Sequence, residues 1–366
     1  MPARPDEGVR AYVCILDAPV CYKVFLEPLT HFLTGAVLAR AGFNRTTALA
    51  TATMTLAAEA PDLDVLNGFR GPVYAFAHHR GFTHSFVGLL LTSAVVVGFV
   101  YLIWLLRGRK TNIPDLPPRW GFLFLFAYIA GLSHILLDYT NNYGVRPFWP
   151  FSEKWYEWGA AFILEPPILL FLLAGLILPE LFSRAKAKPR GRLAAALALL
   201  CVAMLWAERS YTAGKIKHAL HWQTFSSETP IRVSAYPYWT PDSRGLIRLR
   251  WSAVVETQSA YINSEADPAT GDLDRSKLTF HPKQPDTPAI LAAKHSYVGR
   301  VYLDWARYPL VTESSDDTES VVTFWDLRFG YPATPRTLLG ASVTLDRNLH
   351  IVGEAMGPRA QKPLLD

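Results

Sequence analysis

The sequence is short of charge and of cysteine. Only 18% of its 366 residues are charged, against roughly 25% in a typical soluble domain, and its mean hydropathy is +0.13. This composition excludes an intrinsically disordered chain, a collagen and a coiled coil. Three cysteines are too few and too scattered for a disulfide scaffold or a cysteine-based zinc ribbon. They are Cys14, Cys21 and Cys201.

Several signatures of enzymes and of secretion are also missing. The chain has no HExxH, no GxSxG and no P-loop motif, so it lacks the sequence marks of the commonest zinc peptidases, serine hydrolases and nucleotide triphosphatases. Residues 1–26 have no uninterrupted apolar core, because prolines and aspartates divide them. We interpret them as an N-terminal extension rather than a signal peptide.

The net charge is +5, and its position along the chain is more informative than its size. Two basic clusters, within residues 107–119 and 184–192, each lie between apolar runs. Loops on the cytoplasmic side of a membrane are enriched in Lys and Arg. The pattern therefore predicts membrane loops, and it argues against a nucleic-acid-binding surface.

Long apolar runs predict a helical membrane domain over residues 27–215. Four runs are candidates for spanning helices: 85–106, 120–137, 159–178 and 193–207. Two shorter stretches, 30–42 and 46–60, predict a helical hairpin, because each has fewer than the roughly 20 residues that cross a bilayer comfortably.

After about residue 215 the apolar runs stop, and short β-branched, aromatic segments begin. Clusters of Pro, Gly and Asp separate them, and they include 231–239, 246–256, 298–305, 320–329 and 341–345. These segments predict a β-rich soluble domain over residues 216–366. The predicted fold class is therefore α+β: a polytopic helical membrane domain followed by a β-rich soluble domain.

The basic loops also predict which polar residues share one side of the membrane. With both loops in the cytoplasm, the ligand-type residues at the ends of the apolar runs fall together on the extracytoplasmic side, and so does the C-terminal domain. Ionisable residues at membrane depth are costly and usually functional. Those residues are His31, Asp62, Asp64, His84, His134, Asp138 and Glu165.

Two segments carry closely spaced polar side chains. Asp62 and Asp64 flank one leucine, so that in an extended chain their carboxylates point the same way. They either bind a cation or are solvated aspartates that cap the next helix. The run from His78 to Ser85 holds three histidines and an arginine. A cap at its end favours a neutral His84, the form that binds metals, while Arg80 suits an anionic group; the alternative is an interfacial polar turn.

His134 and Asp138 are four residues apart, so on a helix they share one face. They bind one ion together, or the carboxylate orients the imidazole, or they form a plain hydrogen bond. His31 opens the first short helix, where a capping or packed role is as reasonable as a ligand role. Glu165 lies in an apolar segment, where a carboxylate must find a cation or stay protonated; it is a candidate ligand or general base.

Together these residues supply at least three imidazoles and three carboxylates. That donor set suits Zn²⁺, and also Mn²⁺ or Fe²⁺. A mononuclear or dinuclear site of this kind makes hydroxide available near neutral pH. The natural reaction is hydrolysis, and a phosphoester is the substrate that Arg80 would suit.

Four stretches, in this order, resemble the bacterial membrane-bound metal-dependent hydrolases, the YdjM-like, LexA-regulated family. They are Glu27-Pro-Leu-Thr-His31, Ala60-Pro-Asp-Leu-Asp64, His79-Arg-Gly-Phe-Thr-His-Ser85 and Ser133-His-Ile-Leu-Leu-Asp138. The resemblance implies a multi-pass protein of the bacterial inner membrane, and it implies these metal ligands: His31, Asp62, His84, His134 and Asp138. At Glu27 and Glu165 the chain departs from the family, in which an aspartate is more usual.

The order His, Asp, His, His-x-x-x-Asp is also similar, more distantly, to zinc phospholipase C and the P1-type nucleases. The additional histidines and the N-terminal amine ligand of those enzymes are missing here, which favours two metal ions over three.

The sequence thus predicts an integral membrane metal-dependent hydrolase that acts on a phosphoester. A site at the bilayer surface suits a lipid-linked one. Asp64 and Glu165 are assigned as ligand or general base, and Arg80 as the residue that holds the anionic substrate. The alternative is a non-enzymatic metal-binding or structural membrane protein whose β domain binds a partner.

Overall fold

The structure is a computed structural model that describes residues 18–111, 116–184, 191–242, 244–331 and 339–357. Most of the predicted N-terminal extension, and residues 185–190 of the second basic cluster, lie outside the described residues. The chain divides into two compact units. The first contains the chain up to Leu66 and His78–Glu208, and the second contains Asn67–Ala77 and the chain from Arg209 onward.

Among the described residues, seven α-helices precede the first strand. They are α1 (Ala18–Ala41), α2 (Ala50–Glu59), α3 (Pro72–His78), α4 (Phe86–Leu106), α5 (Trp120–Thr140), α6 (Pro166–Arg184) and α7 (Gly191–His221). By length and composition, α4, α5 and α7 are able to cross a membrane, and α6 contains a shorter apolar stretch, Pro166–Leu181. The helical runs predicted at 85–106 and 120–137 are therefore confirmed.

Three helix boundaries differ from the prediction. The helix expected over 30–42 begins at Ala18 and contains Pro28, although the residues before Thr30 show no helical period of apolar side chains. The span expected from residue 159 is wrong at its start. Helix α6 begins only at Pro166, because a proline fits the first turn of a helix, where its missing N–H is not needed. The run expected over 193–207 is the middle of a helix of 31 residues.

Small residues pack the core of the first unit. Ala57, Ala58, Ala127 and Ala130 are buried where α2 and α5 meet. On α1, a Cβ atom at Gly35 would lie only 2.6 Å from the backbone oxygen of Met54. Helices α1, α2 and α5 therefore approach closely, and the side chains near their ends are brought together.

The second unit contains two four-stranded antiparallel sheets. The first has the order β1 (Arg232–Pro241), β2 (Ile247–Glu256), β3 (Ala260–Glu265), β4 (Thr279–Pro282). The second has the order β5 (Pro309–Ser315), β6 (Glu319–Asp326), β7 (Gly340–Asp346), β8 (Ile351–Met356). Alternating burial along β6 places one face of that strand in the core. The α+β fold class is confirmed.

The strand predicted over 298–305 is wrong, because this segment is a helix. Along the chain, two helices separate the strands of the first sheet from those of the second: α8 (Pro288–His295) and α9 (Tyr297–Trp305). The hydroxyl of Ser296 accepts a hydrogen bond from the backbone N–H of Gly299 and caps α9. Val298, Tyr302 and Trp305 are buried along one side of it, at the i, i+4, i+7 spacing of a helix face.

The segment Asn67–Ala77 packs within the second unit, although both of its neighbours in sequence belong to the first. The ring of Phe76, on α3, stacks on Tyr302 with 5.9 Å between centroids and meets the edge of Trp305 at 5.2 Å. The chain therefore leaves the first unit after Asp62 and Asp64 and returns to it just before His79.

Candidate metal centre

The predicted ligand residues of the first unit converge from four elements. The 3₁₀ helix Ala60–Arg70 follows α2 and carries Asp62, and a second 3₁₀ helix, Phe82–His84, ends at His84. The last two turns of α5 carry His134 and Asp138, and α1 carries His31. Both α4 and α5 have one end at this cluster, since α4 begins just after His84. All of these side chains are buried except that of Asp62, which is 25% exposed.

Four ligand atoms form a compact cage. The Nε2 atoms of His84 and His134 are 3.0 Å apart. Oδ1 of Asp62 lies 3.5 Å from the Nε2 of His84 and 3.4 Å from that of His134. Oδ2 of Asp138 lies 3.2 Å and 3.3 Å from the same two nitrogens. Each of the two carboxylates thus lies close to both imidazoles.

Five of the six distances within this cage are close to those of a tetrahedral divalent metal site. Four ligands bonded at about 2.0–2.1 Å to a tetrahedral zinc lie about 3.3–3.4 Å from one another. The five distances above run from 3.0 to 3.5 Å. Oδ2 of Asp138, which faces the two Nε2 atoms, has no well-directed hydrogen bond, so it offers a lone pair to a cation, whereas Oδ1 is ion-paired with Arg80. The residues present therefore fit the metal that the sequence predicts.

The other ring nitrogen of each histidine has its own acceptor. Nδ1 of His134 lies 2.7 Å from the backbone oxygen of Ala58, and because a carbonyl only accepts, that Nδ1 carries a proton. Nδ1 of His84 lies 3.1 Å from Oγ1 of Thr83 and 3.4 Å from Oδ2 of Asp64. In the neutral rings the two Nε2 lone pairs then face each other, which is unfavourable unless a cation lies between them. An acceptor behind each ligating histidine is typical of metal sites.

The charges around the cage shift its protonation. Burial alone would lower the pKa of His84, but hydrogen bonds to Asp138 and Asp62 outweigh burial and raise it. Burial alone would raise the pKa of Asp62, but the imidazole of His134 outweighs burial and brings that pKa well below its usual value. Protons and a metal ion therefore compete for the same nitrogen atoms.

His31 belongs to a second, overlapping group of ligand atoms with His134 and Asp138. Its ring stacks on that of His134 at 3.7 Å between centroids, and its Nε2 lies 3.5 Å from Oδ1 of Asp138. Its Nδ1 is buried without a hydrogen bond. Asp138 thus turns one oxygen toward the cage and the other toward His31, an arrangement compatible with one ion or with two.

Arg80 is buried and contacts the cage at Asp138. Its backbone is in the left-handed region, with φ at 51°, and its buried side chain places Nη2 2.8 Å from Oδ1 of Asp138. Its Nη1 donates to the side-chain oxygen of Asn141 and to the backbone oxygen of Gly144, each at 3.2 Å. These contacts fit a residue that holds Asp138; the role of Arg80 toward a substrate stays a prediction.

Asp64 is buried beside the cage rather than in it. Its Oδ2 accepts a hydrogen bond from the backbone N–H of Arg80 at 2.7 Å, and both of its oxygens lie 3.2 Å from Nδ1 of His79. Burial would raise the pKa of Asp64, but the interaction with His79 outweighs burial and lowers it. Asp64 therefore stays ionised and orients the two histidines that it faces, His79 and His84.

Glu165 lies immediately before α6 and is buried. Its Oε2 accepts a hydrogen bond from the backbone N–H of Phe162 at 3.1 Å. A cavity of about 20 Å³ is lined by His31, Asp138 and Glu165, among other residues. Since a water molecule needs at least about 10–15 Å³, this cavity has room for one.

The sequence did not predict two groups that contribute to the site, the carbonyl of Ala58 and the imidazole of His79. The Ala58 carbonyl is a backbone group, which no side-chain pattern marks. His79 lies in the histidine-rich run that the sequence singled out, but nothing in the spacing distinguished it from its neighbours. The only available signal was the density of histidines between residues 78 and 84.

Residues 26–213 match the model of a family described as YdjM inner membrane protein. The uncharacterized protein YfhP of Bacillus subtilis strain 168 is 29% identical to this chain over 120 residues, which are 32% of this chain and 33% of that protein. The chain thus aligns with about a third of that relative's length. No solved structure matches the chain, and the distant similarity to zinc phospholipase C and the P1-type nucleases is not shown.

Proposed function

Because the chain belongs to the YdjM inner membrane protein family, we propose that it is an integral membrane hydrolase that uses a divalent metal to cleave a phosphoester. The observation that carries the proposal is the pair of buried Nε2 atoms, on His84 and His134, that face each other at 3.0 Å between two carboxylates. Zn²⁺ is the ion that this set of nitrogen and oxygen ligands suits best, and Mn²⁺ or Fe²⁺ are alternatives.

The metal, when bound, supplies a Lewis acid and lowers the pKa of water toward neutrality. The chain's own residues then have separate tasks. His84, His134, Asp62 and Asp138 would hold the ion, and His31 would complete the set or hold a second ion.

Two further residues act beside the ion. Glu165 shares a water-sized cavity with Asp138, so it is placed to take a proton from the attacking water. Arg80 keeps Asp138 oriented through the 2.8 Å contact to its Oδ1.

Exposed apolar side chains next to the cage support a lipid-linked substrate. Leu63, Val65 and Leu66 are 58%, 64% and 57% exposed, and they are next in sequence to Asp62 and Asp64. In a 3₁₀ helix, with three residues per turn, Leu63 and Leu66 lie on the same face. A phosphoester whose alcohol carries an acyl chain would present its polar part to the cage and its apolar part to these residues.

We place the site and the second unit on the extracytoplasmic side of the inner membrane. The cage lies where α4 begins and α5 ends, whereas Arg107, Arg109 and Lys110 follow the other end of α4. A helix of 21 residues is about 30 Å long, the thickness of the hydrocarbon core. Because cytoplasmic loops are enriched in basic residues, the opposite end, with the cage, faces outward.

The test measures bound metal and hydrolysis on detergent-purified protein. We expect the wild type to retain a divalent metal and to cleave a phospholipid or a phosphodiester. His134→Ala should lose both properties. His218→Ala, which alters an exposed histidine of α7, serves as the matched control and should lose neither.

Metal content unchanged in His134→Ala would contradict the metal site. Metal bound by the wild type and lost in His134→Ala, with no phosphoester cleaved, would instead support the non-enzymatic alternative predicted from the sequence.

A further inference from the structure

The proposed roles leave one histidine of the site unused. His79 lies at the edge of the cluster, and its side chain is 36% exposed, whereas that of its partner Asp64 is 4% exposed. Its Nδ1 lies 3.2 Å from each oxygen of Asp64. An ionised carboxylate only accepts hydrogen bonds, so Nδ1 is the donor. Among the described residues, Nε2 of His79 has no hydrogen-bond partner and is free to meet a substrate.

Several contacts fix this imidazole. The backbone N–H of Arg80 donates to Oδ2 of Asp64, and Nη2 of Arg146 donates to the backbone oxygen of His79 at 3.1 Å. The edge of the ring meets the Tyr143 ring at 5.4 Å between centroids. The left-handed backbone of Arg80 allows the two neighbouring side chains to separate. Arg80 is buried against Asp138, while His79 stays at the surface of the site.

His79 also contacts one residue of the cage, His84. The centroid of its ring lies 6.0 Å from that of His84, whose Nε2 belongs to the cage. The imidazole of His79 is more exposed than those of His84 and His134, so an ester that approaches the cage from solvent would present its leaving group on this side. A buried carboxylate behind an imidazole that faces the substrate is the arrangement by which histidines act as acids and bases in enzymes.

We propose that His79 is a further catalytic residue, the general acid that protonates the leaving oxygen, with Asp64 as its positioning residue. This inference rests on the proposed phosphoester hydrolysis. The oxygen of water forms a bond to phosphorus, and the bond from phosphorus to the leaving oxygen breaks with its electron pair. Nε2 of His79 gives its proton to that oxygen, which departs as the alcohol. The proton lost by the water passes to Glu165, which releases it to solvent, and His79 takes up a proton from solvent before the next turnover.

The experiment compares two substrates that differ in their need for an acid. Dihexanoyl phosphatidylcholine has alkyl leaving groups, which must be protonated as they depart. Bis(p-nitrophenyl) phosphate has an activated leaving group, which needs no proton. We expect His79→Gln to lower kcat/KM on the first substrate about 10²- to 10⁴-fold and to change it no more than a few-fold on the second. His78→Gln, at the adjacent exposed position, is the control and should follow the wild type on both.

Metal content and thermal unfolding are measured on the same samples and should match the wild type, because His79 is not in the cage. An equal loss on both substrates, or a loss of metal in His79→Gln, would overturn the assignment and leave His79 a structural role. Wild-type protein that cleaves neither substrate would overturn the proposed function, and the role of His79 with it.

Discussion

Gly35 is the point at which a single methyl group would disturb both the packing of the first unit and its metal cage. It lies one turn after His31 on α1. A Cβ atom there would be 2.6 Å from the backbone oxygen of Met54 and 2.9 Å from Cβ of Ala58. An ordinary van der Waals contact begins at 3.4 Å. The new methyl group of Gly35→Ala would meet a backbone oxygen, which cannot rotate away as a side chain can, so the two helices must separate by about 0.8 Å.

This displacement should lower both the free energy of unfolding and the affinity for the metal. Overpacking of this kind costs about 1–3 kcal/mol, whereas replacing a helical glycine by alanine gains at most about 1 kcal/mol, so the net effect is destabilising or close to zero. The cage is more sensitive, because metal–ligand distances tolerate only about 0.2 Å. The separation moves His31 on one helix relative to Ala58 on the other, and Ala58 is the acceptor behind His134. We expect the metal affinity to fall at least about tenfold.

The assay is metal retention during dialysis against a chelator, together with thermal unfolding in detergent. Gly98→Ala is the matched control, because a Cβ atom at Gly98, on the apolar helix α4, meets nothing within 4 Å. Gly35→Ala protein that retains metal and unfolds as the Gly98→Ala protein does would refute the claim that close packing of α1 on α2 positions the cage.

Two further predictions address other parts of the molecule. Asp64→Asn keeps the shape of the side chain but removes the negative charge beside His84 and His79. The affinity for Zn²⁺, measured by competition with a chromophoric chelator, should therefore fall about 10- to 100-fold. An unchanged affinity would exclude the orienting role of Asp64. In the second unit, burial would raise the pKa of Glu256, but hydrogen bonds from Lys283 and Arg232 outweigh burial and hold it below its ordinary value of 4.5. That stabilisation is complete above the ordinary pKa and is lost as the pH falls toward the lowered one, so Glu256→Gln should weaken the acid dependence of the melting temperature; identical dependence in the wild type and the variant would contradict this.

The parts of the site that could be predicted from the sequence are those set by local spacing. His134 and Asp138 share a helix face because they are four residues apart, and their side chains do meet at the cage. The cap expected at the end of the histidine-rich run is Ser85, whose hydroxyl accepts a hydrogen bond from the backbone N–H of Gly88. The helical runs of α4 and α5 follow from uninterrupted apolar composition, because only the length of such a run has to be counted.

The parts that could not be predicted depend on tertiary packing. The acceptor behind His134 is the carbonyl of Ala58, and every residue has such a carbonyl. The segment 298–305 is rich in β-branched and aromatic residues, which favour a strand. It nevertheless forms helix α9, which is stabilised by the cap at Ser296 and by the helical spacing of its buried side chains. The packing of Asn67–Ala77 within the second unit follows from contacts with residues far away along the chain.

That packing sets an order of events during synthesis. Tyr302 and Trp305, the aromatic partners of Phe76, are translated more than 200 residues after it. While the ribosome is still making the strands, Phe76 therefore lacks these two aromatic partners. A protein cut off after α7 lacks them as well, and these ring contacts form only after the segment that carries Tyr302 and Trp305 has been made.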